Sequence, residues 1–154
     1  MKSLIIFDSA YGNTEKIARA IGDGLSGEIE VCHIDQANIS KLSGYDMIII
    51  GSPTQGGKPT VAVQRFLNNI LPDGLKNIKV AAFDTRFSEK EVNLALKLLI
   101  KTIGYAALKI AKTLESKGGG LAAAPEGFIV TGKDGPLKEG ELERAVGWGK
   151  KLSC

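Results

Sequence analysis

Ser9, Asn13 and Thr14 bring two hydroxyls and a carboxamide into one short stretch, Ser9-Ala10-Tyr11-Gly12-Asn13-Thr14. Such residues suit an anion: the side chains donate hydrogen bonds, and a loop of small residues lets several backbone N–H groups converge on one point. Gly12 adds a turn conformation that a Cβ would resist. The same stretch also reads as an ordinary strand-to-helix turn with a capping Thr, so its meaning depends on its setting. Two later stretches are similarly rich in small polar residues or charge, Gly51-Ser52-Pro53-Thr54-Gln55-Gly56-Gly57-Lys58-Pro59 and Asp84-Thr85-Arg86-Phe87.

Each stretch follows an apolar run. Lys2 to Phe7 is such a run and ends at Asp8-Ser9, whereas from Asn13 the period becomes helical, with Ile17, Ile21 and Leu25 at i+4 spacing. Strand, loop and helix in that order put the first stretch at a helix N-terminus, whose partial positive charge favours an anion. Glu28 to Ile34, Met47 to Ile50 with Gly51, and Ile78 to Phe83 read as further strands. Most of these runs are apolar throughout, which requires cover on both faces and indicates a parallel sheet with crossover helices.

The covers are legible too. Pro59 fits the first turn of a helix carrying Val63, Phe66, Leu67 and Ile70. Glu89 to Ile103 repeats Val92, Leu96, Leu99 and Ile103, and Tyr105 to Lys117 repeats Leu108, Ala111 and Leu114, with Gly104 at the junction and Gly118-Gly119-Gly120 as the stop. A last strand, Leu121 to Ala124 and then Phe128 to Thr131, is interrupted at Pro125 and precedes a helix from about Leu137 to Leu152. Five strands alternating with at least five helices, with no repeat, linker or low-complexity tract, predict one α/β domain over residues 1–154. The expected architecture is a three-layer, doubly wound, five-stranded parallel sheet with its ligand beyond the carboxyl ends of the strands.

The totals set bounds on function. A chain of 154 residues typically buries roughly 70% of its unfolded surface, enough for one core without staples. Cys32 and Cys154 make neither a metal-ligand spacing nor a disulfide framework, which fits a reducing cytoplasm. The first apolar run is too short for a signal peptide or a membrane span. A net charge of +3 falls below that of a dedicated nucleic-acid binder. His33 beside Cys32 and Trp148 beside Leu142 and Val146 read as structural, and no Ser-His-Asp or Cys-His set supplies a catalytic residue. A Gly-Lys-Ser/Thr motif is absent, and Gly51-Ser52-Pro53 after the third strand offers no phosphoacceptor Asp.

Asp8-Ser9-Ala10-Tyr11-Gly12-Asn13-Thr14-Glu15 resembles the first phosphate loop of flavodoxins and of the flavodoxin domains of flavodiiron proteins, and the resemblance spans essentially the whole chain. It implies an FMN cofactor and strand order 2-1-3-4-5, with the flavin at the switch point. Ser9, Asn13 and Thr14 would then bond phosphate through side chains, and backbone N–H groups from Ala10 to Thr14 would complete the cradle. Tyr11 stands where flavodoxins commonly have Thr, as it does in flavodiiron-type variants. The stretch from Gly51 to Pro59, with Pro53, Thr54, Gln55, Gly56 and Gly57, resembles the second flavin loop, in which Thr54 would touch phosphate or ribityl oxygen. Gln55 replaces the aromatic residue that many flavodoxins lay over the isoalloxazine, and Gly56-Gly57 would permit a peptide reorientation toward N5–H of the reduced flavin. Asp84, Thr85, Arg86 and Phe87 stand at the third loop, with Phe87 as the stacking ring and Arg86 near the pyrimidine edge, stabilising reduced flavin. Without the resemblance, Phe87 reads equally as a core residue and Arg86 as a solvated charge.

The implied function is a one- or two-electron carrier in which FMN performs the redox chemistry and the protein supplies binding, orientation and electrostatics. From Thr85 to Lys117 seven basic residues face three acidic ones, a local +4. If this face borders the flavin, the redox partner presents an acidic docking face; the same lysines also read as solvated helix surface. Two alternatives stand beside the carrier. One is an FMN-dependent quinone or protoporphyrinogen-type oxidoreductase, with Gln55 and the glycines leaving an open pocket. The other is a flavodoxin-fold binding module that has lost FMN, motivated by Tyr11, Gln55 and the third loop.

Overall fold

The computed structural model describes residues 1–87, 94, 95, 98 and 104–154. Among these, β1 (Lys2–Phe7), β2 (Glu28–His33), β3 (Met47–Pro53) and β4 (Lys79–Phe87) run parallel, and β5 (Gly120–Leu121) and β6 (Glu126–Val130) both pair with β4. The spatial order is β2-β1-β3-β4, with β5 and β6 end to end along the outer side of β4. Taken as one interrupted strand, β5 and β6 complete the expected 2-1-3-4-5 order. Between Val80↔Leu121 and Phe83↔Glu126, residues 122–125 pass opposite residues 81–82 alone. Pro125 lies in this bulge, where its missing N–H interrupts no ladder.

Helices α1 (Asn13–Gly24), α2 (Val61–Asn69), α3 (Ala106–Ser116) and α4 (Glu141–Leu152) flank the sheet, and short 3-10 turns occupy Ile34–Gln36 and Ile39–Gly44. Alternate strand residues feed two cores. Leu4, Ile6, Ile48, Ile50, Val80 and Ala82 pack with Val63, Phe66 and Leu67 of α2 and Ile110, Ala111 and Leu114 of α3. On the other face Ile5, Phe7, Met47, Ile49, Ala81 and Phe83 pack with Ile17 and Ile21 of α1 and Ala145, Trp148 and Leu152 of α4. Two-sided burial is why the central strands β1 and β3 are apolar at nearly every position. Phe83, Phe128 and Trp148 close the second core edge to face, with ring centroids 6.2–6.4 Å apart.

The structure moves several boundaries. β4 runs on past Phe83 to Phe87 because Asp84 and Thr85 still pair with Ser52 and Pro53, and Phe83 through Phe87 pair with Glu126 through Val130. Asp84 to Phe87 is therefore strand rather than loop. The last strand segments begin at Gly120 and Glu126 and end at Val130. Pro59 precedes α2 instead of opening it, since Thr60 is the N-cap and its hydroxyl accepts the Val63 N–H. The final helix starts at Glu141, not Leu137: Leu137 bridges to Val130 and the Lys138 N–H bonds the Ile129 carbonyl, so this segment stays extended beside β6. The helix read over Glu89 to Ile103 lies, but for Leu94, Ala95 and Leu98, outside the described residues.

α1 and α4 approach backbone to backbone, and a Cβ on Gly149 would stand 2.2 Å from the Ile21 carbonyl oxygen. Alanine in a helix interior normally gains about 1 kcal/mol over glycine. Forcing two backbones apart costs about 1–3 kcal/mol. Gly149→Ala is therefore expected to lower the unfolding free energy by up to about 2 kcal/mol in a urea titration, and a stabilised variant would contradict this packing.

Candidate functional site

The parallel registers set the carboxyl ends of the central strands on rising steps. Phe7, the last residue of β1, is level with Gly51, and Gly51 with Phe83. β3 continues to Pro53 and β4 further again to Phe87. The chain leaving β1 turns on the lowest step, with β3 and β4 rising beside it, and the Asp8 N–H is bonded to the Gly51 carbonyl at 3.1 Å.

The Asp8 carboxylate organises that turn. Its Oδ1 accepts the Ser9 N–H at 2.8 Å, its Oδ2 accepts the Thr60 hydroxyl at 2.6 Å, and His33 Nε2 lies 3.2 Å from Oδ1. Ser9 Oγ accepts the Gly12 N–H at 2.9 Å, drawing the loop into a tight ring, and Gly12 takes φ +91°. Gly12 rather than a threonine is the N-cap of α1, and no side chain caps this end. The N–H groups of Asn13, Thr14 and Glu15, in the first turn, have no intrahelical acceptor. Asn13 and Thr14 are buried. Thr14 Oγ1 lies 2.9 Å from Thr85 Oγ1. One hydrogen makes that bond, so the second hydroxyl hydrogen of the pair remains available to a ligand.

The second stretch is a two-residue reverse turn. The backbones of Gln55 and Lys58 exchange both hydrogen bonds, at 2.8 and 3.1 Å, around Gly56 and Gly57 at φ +58° and +78°. Both positions need a left-handed backbone in this turn type, which favours Gly, Asn or Asp at the first and Gly at the second. The Gly57 carbonyl accepts Lys109 Nζ at 2.6 Å, and the Lys109 ammonium is held below its ordinary range by desolvation and by the charge of Lys58. The Thr54 N–H bonds the Thr85 carbonyl at 2.9 Å, and its hydroxyl oxygen accepts the Ala106 N–H at 3.1 Å. Thr54 thus ties the second stretch to β4 and to the start of α3.

In the third stretch Asp84 is fully buried. Arg86 grips it through Nε and Nη2, each at 2.7 Å, and the Ala107 N–H adds a third bond at 2.9 Å. Burial pushes the Asp84 carboxyl up, opposed by Arg86, by the Ala107 N–H and by the Thr54 hydroxyl. Arg86 also lies over the Tyr105 ring, 3.6 Å from its centroid. Its side chain is mostly buried and its positive charge is paired. Phe87 is 41% exposed and Tyr11 54% exposed, so both rings stand outside the core.

These stretches meet at a shallow cleft of about 50 Å³ that opens to solvent. Ala10, Tyr11, Asn13, Thr14, Pro53, Thr54, Thr85, Arg86 and Phe87 line it. Ser9, Gly12 and Asp84 support lining residues through the bonds described, and Gln55, Gly56 and Gly57 form the turn next to Thr54, outside the lining. The sequence reading missed Val130 and Lys133, which complete the walls. Their only signal was the Gly132-Lys133-Asp134-Gly135 turn after the last strand. Gly135 seats that turn against the first loop, for a Cβ there would stand 2.6 Å from Asn13 Nδ2. An uncapped helix N-terminus, a spare hydroxyl hydrogen and an ammonium at one cleft fit a phosphate monoester. Nothing lies within 4 Å of an added Cβ at Gly12, so only its conformation is at stake. Gly12→Ala is expected to cost about 1–2 kcal/mol of stability, the strain of a left-handed alanine, when measured by thermal or urea unfolding.

A family model of the flavodoxin domain matches residues 4–119. A flavodoxin from Aquifex aeolicus is 34% identical over 76 residues, 47% of this chain and 41% of that one, so the alignment spans under half of that relative. An uncharacterised protein of Methanocaldococcus jannaschii is 30% identical over 109 residues, covering 70% of this chain and 71% of its own. The crystal structure of oxidised Flavodoxin 1 from Bacillus cereus superposes with a TM-score of 0.75 at 23% identity, over 99% of this chain and 97% of that one. The structural likeness shows the fold and the family model covers most of the chain: the chain belongs to the flavodoxin family.

Proposed function

We propose that residues 1–154 act as one FMN-binding domain that carries electrons between partner proteins. The observation that carries this reading is the first loop: α1 begins uncapped at a left-handed Gly12, inside a cleft at the point where strand order reverses between β1 and β3. Asn13 and one hydroxyl of the Thr14–Thr85 pair would donate to the phosphate together with the N–H groups of the first turn, Ser9 would hold the loop closed around it, and Lys133 would balance its charge. Phe87 and Tyr11 offer aromatic faces at the same cleft, where Gln55 supplies none. When bound, FMN supplies the one- and two-electron chemistry. The protein's part is to bind, orient and shield, and no side-chain acid or base is required.

The partner side of the reading rests on Lys58 and Lys109. They lie close enough for one ammonium to depress the other, beside the Gly56-Gly57 turn. A redox partner with an acidic docking face complements them. Among the described residues no helix is long and apolar enough to cross a membrane, and Cys32 and Cys154 are free thiols; both support a cytoplasmic setting.

Steady-state kinetics separate carrier from enzyme. The purified, flavin-loaded chain is expected to turn over NADH or NADPH with a quinone only slowly by itself, and to pass electrons once a flavin reductase is added, at a rate that falls as salt screens the lysines. Rapid stand-alone quinone reduction would make it an oxidoreductase instead. A colourless protein that takes up no added FMN would point to a binding module.

A further inference from the structure

Resting on the FMN reading, we infer that Asp84 and Arg86 act as one net-neutral unit beside the flavin cleft, so that Asp84, not Arg86, governs the charge the cofactor feels. Arg86 lines the cleft, yet Asp84, Tyr105 and the β6 backbone fix its position. Two of its nitrogens bond the two Asp84 oxygens. One face of the guanidinium lies on Tyr105. The β6 backbone closes in as well, since a Cβ on Gly127 would stand 2.2 Å from Arg86 Cζ. Asp84 is in turn anchored by the Ala107 N–H at the start of α3. Asp84 is thus a positioning residue that holds the guanidinium flat and cancels its charge.

The two halves of the pair are not equivalent. Removing Arg86 leaves a fully buried carboxyl facing one N–H and the Thr54 hydroxyl, where burial, no longer opposed by the guanidinium, favours the neutral acid. That carboxyl takes up a proton, and the net charge beside the cleft stays at zero. Removing the Asp84 charge cannot be compensated in the same way, because a guanidinium does not give up its proton in a protein. Asp84→Asn therefore leaves one positive charge at the cleft, where it stabilises reduced, anionic flavin.

The test uses Asp84→Asn, Arg86→Met and the double variant in the FMN-loaded protein, with midpoint potentials from dye equilibration and carboxylic-acid bands from infrared difference spectra. Asp84→Asn is expected to tighten reduced relative to oxidised FMN by about tenfold, as an unscreened neighbouring charge does. Arg86→Met and the double variant should leave that ratio unchanged. Arg86→Met should also show a protonated-carboxyl band that the double variant lacks. A lowered potential in Arg86→Met, or the absence of that band, would overturn the neutral-unit inference. Should Asp84→Asn fail to fold, Arg86→Met and the double variant decide the matter. The infrared comparison works on the flavin-free chain. A wild type that takes up no FMN would therefore defeat the functional reading, while the band still judges the pair.

Discussion

The stagger of three parallel strands is the constraint on which the rest of the molecule depends. Parallel pairing in the register Phe7↔Gly51 and Gly51↔Phe83 means that β1 stops first, β3 later and β4 last. A strand that stops early leaves its outgoing chain beside the exposed flanks of longer neighbours. The loop from Asp8 to Thr14 occupies that position, and its bonds run to the neighbouring elements: Asp8 to Gly51 and Thr60, Thr14 to Thr85. Had the three strands ended level, β3 and β4 would offer no wall for a cleft.

Polar groups at this edge are bonded in pairs and triplets, as burial requires. Asp8 gathers Ser9, Thr60 and His33; Asp84 gathers Arg86 and Ala107; Thr54 links the second loop to α3. A buried carboxylate is costly unless its partners are well placed, and breaking such a pair costs about 3–5 kcal/mol. The exception to this saturation is the start of α1, where no side chain caps the helix. A helix that begins with its first-turn N–H groups open at the mouth of a cleft is suited to receive an anion there.

Much of this was legible in the sequence, and the reasons are specific. The uninterrupted apolar runs of β1, β3 and β4 reflect burial on both faces, and the change of period at Asn13 marked the first loop. Boundaries were harder where backbone pairing, not side-chain pattern, decides them. Asp84, Thr85 and Arg86 are polar or charged, yet they remain in β4 because β3 and β6 both pair with Asp84 and Thr85 and β6 still pairs with Arg86. Leu137 and Lys138 continue the apolar-periodic signal of α4 but are held extended by Val130 and Ile129. Lys133 and the Asp84–Arg86 pair could be placed only by tertiary structure, since charge along a chain does not reveal which charges are already neutralised.

The central claim is that the open end of α1 holds a phosphate, and the most direct test compares FMN with riboflavin, which differ by that group alone. Isothermal titration of the flavin-free chain in phosphate-free buffer should show FMN binding about 100-fold more tightly or better, the equivalent of two charge-assisted hydrogen bonds at about 1.5 kcal/mol each. Equal affinities for the two flavins would contradict the claim.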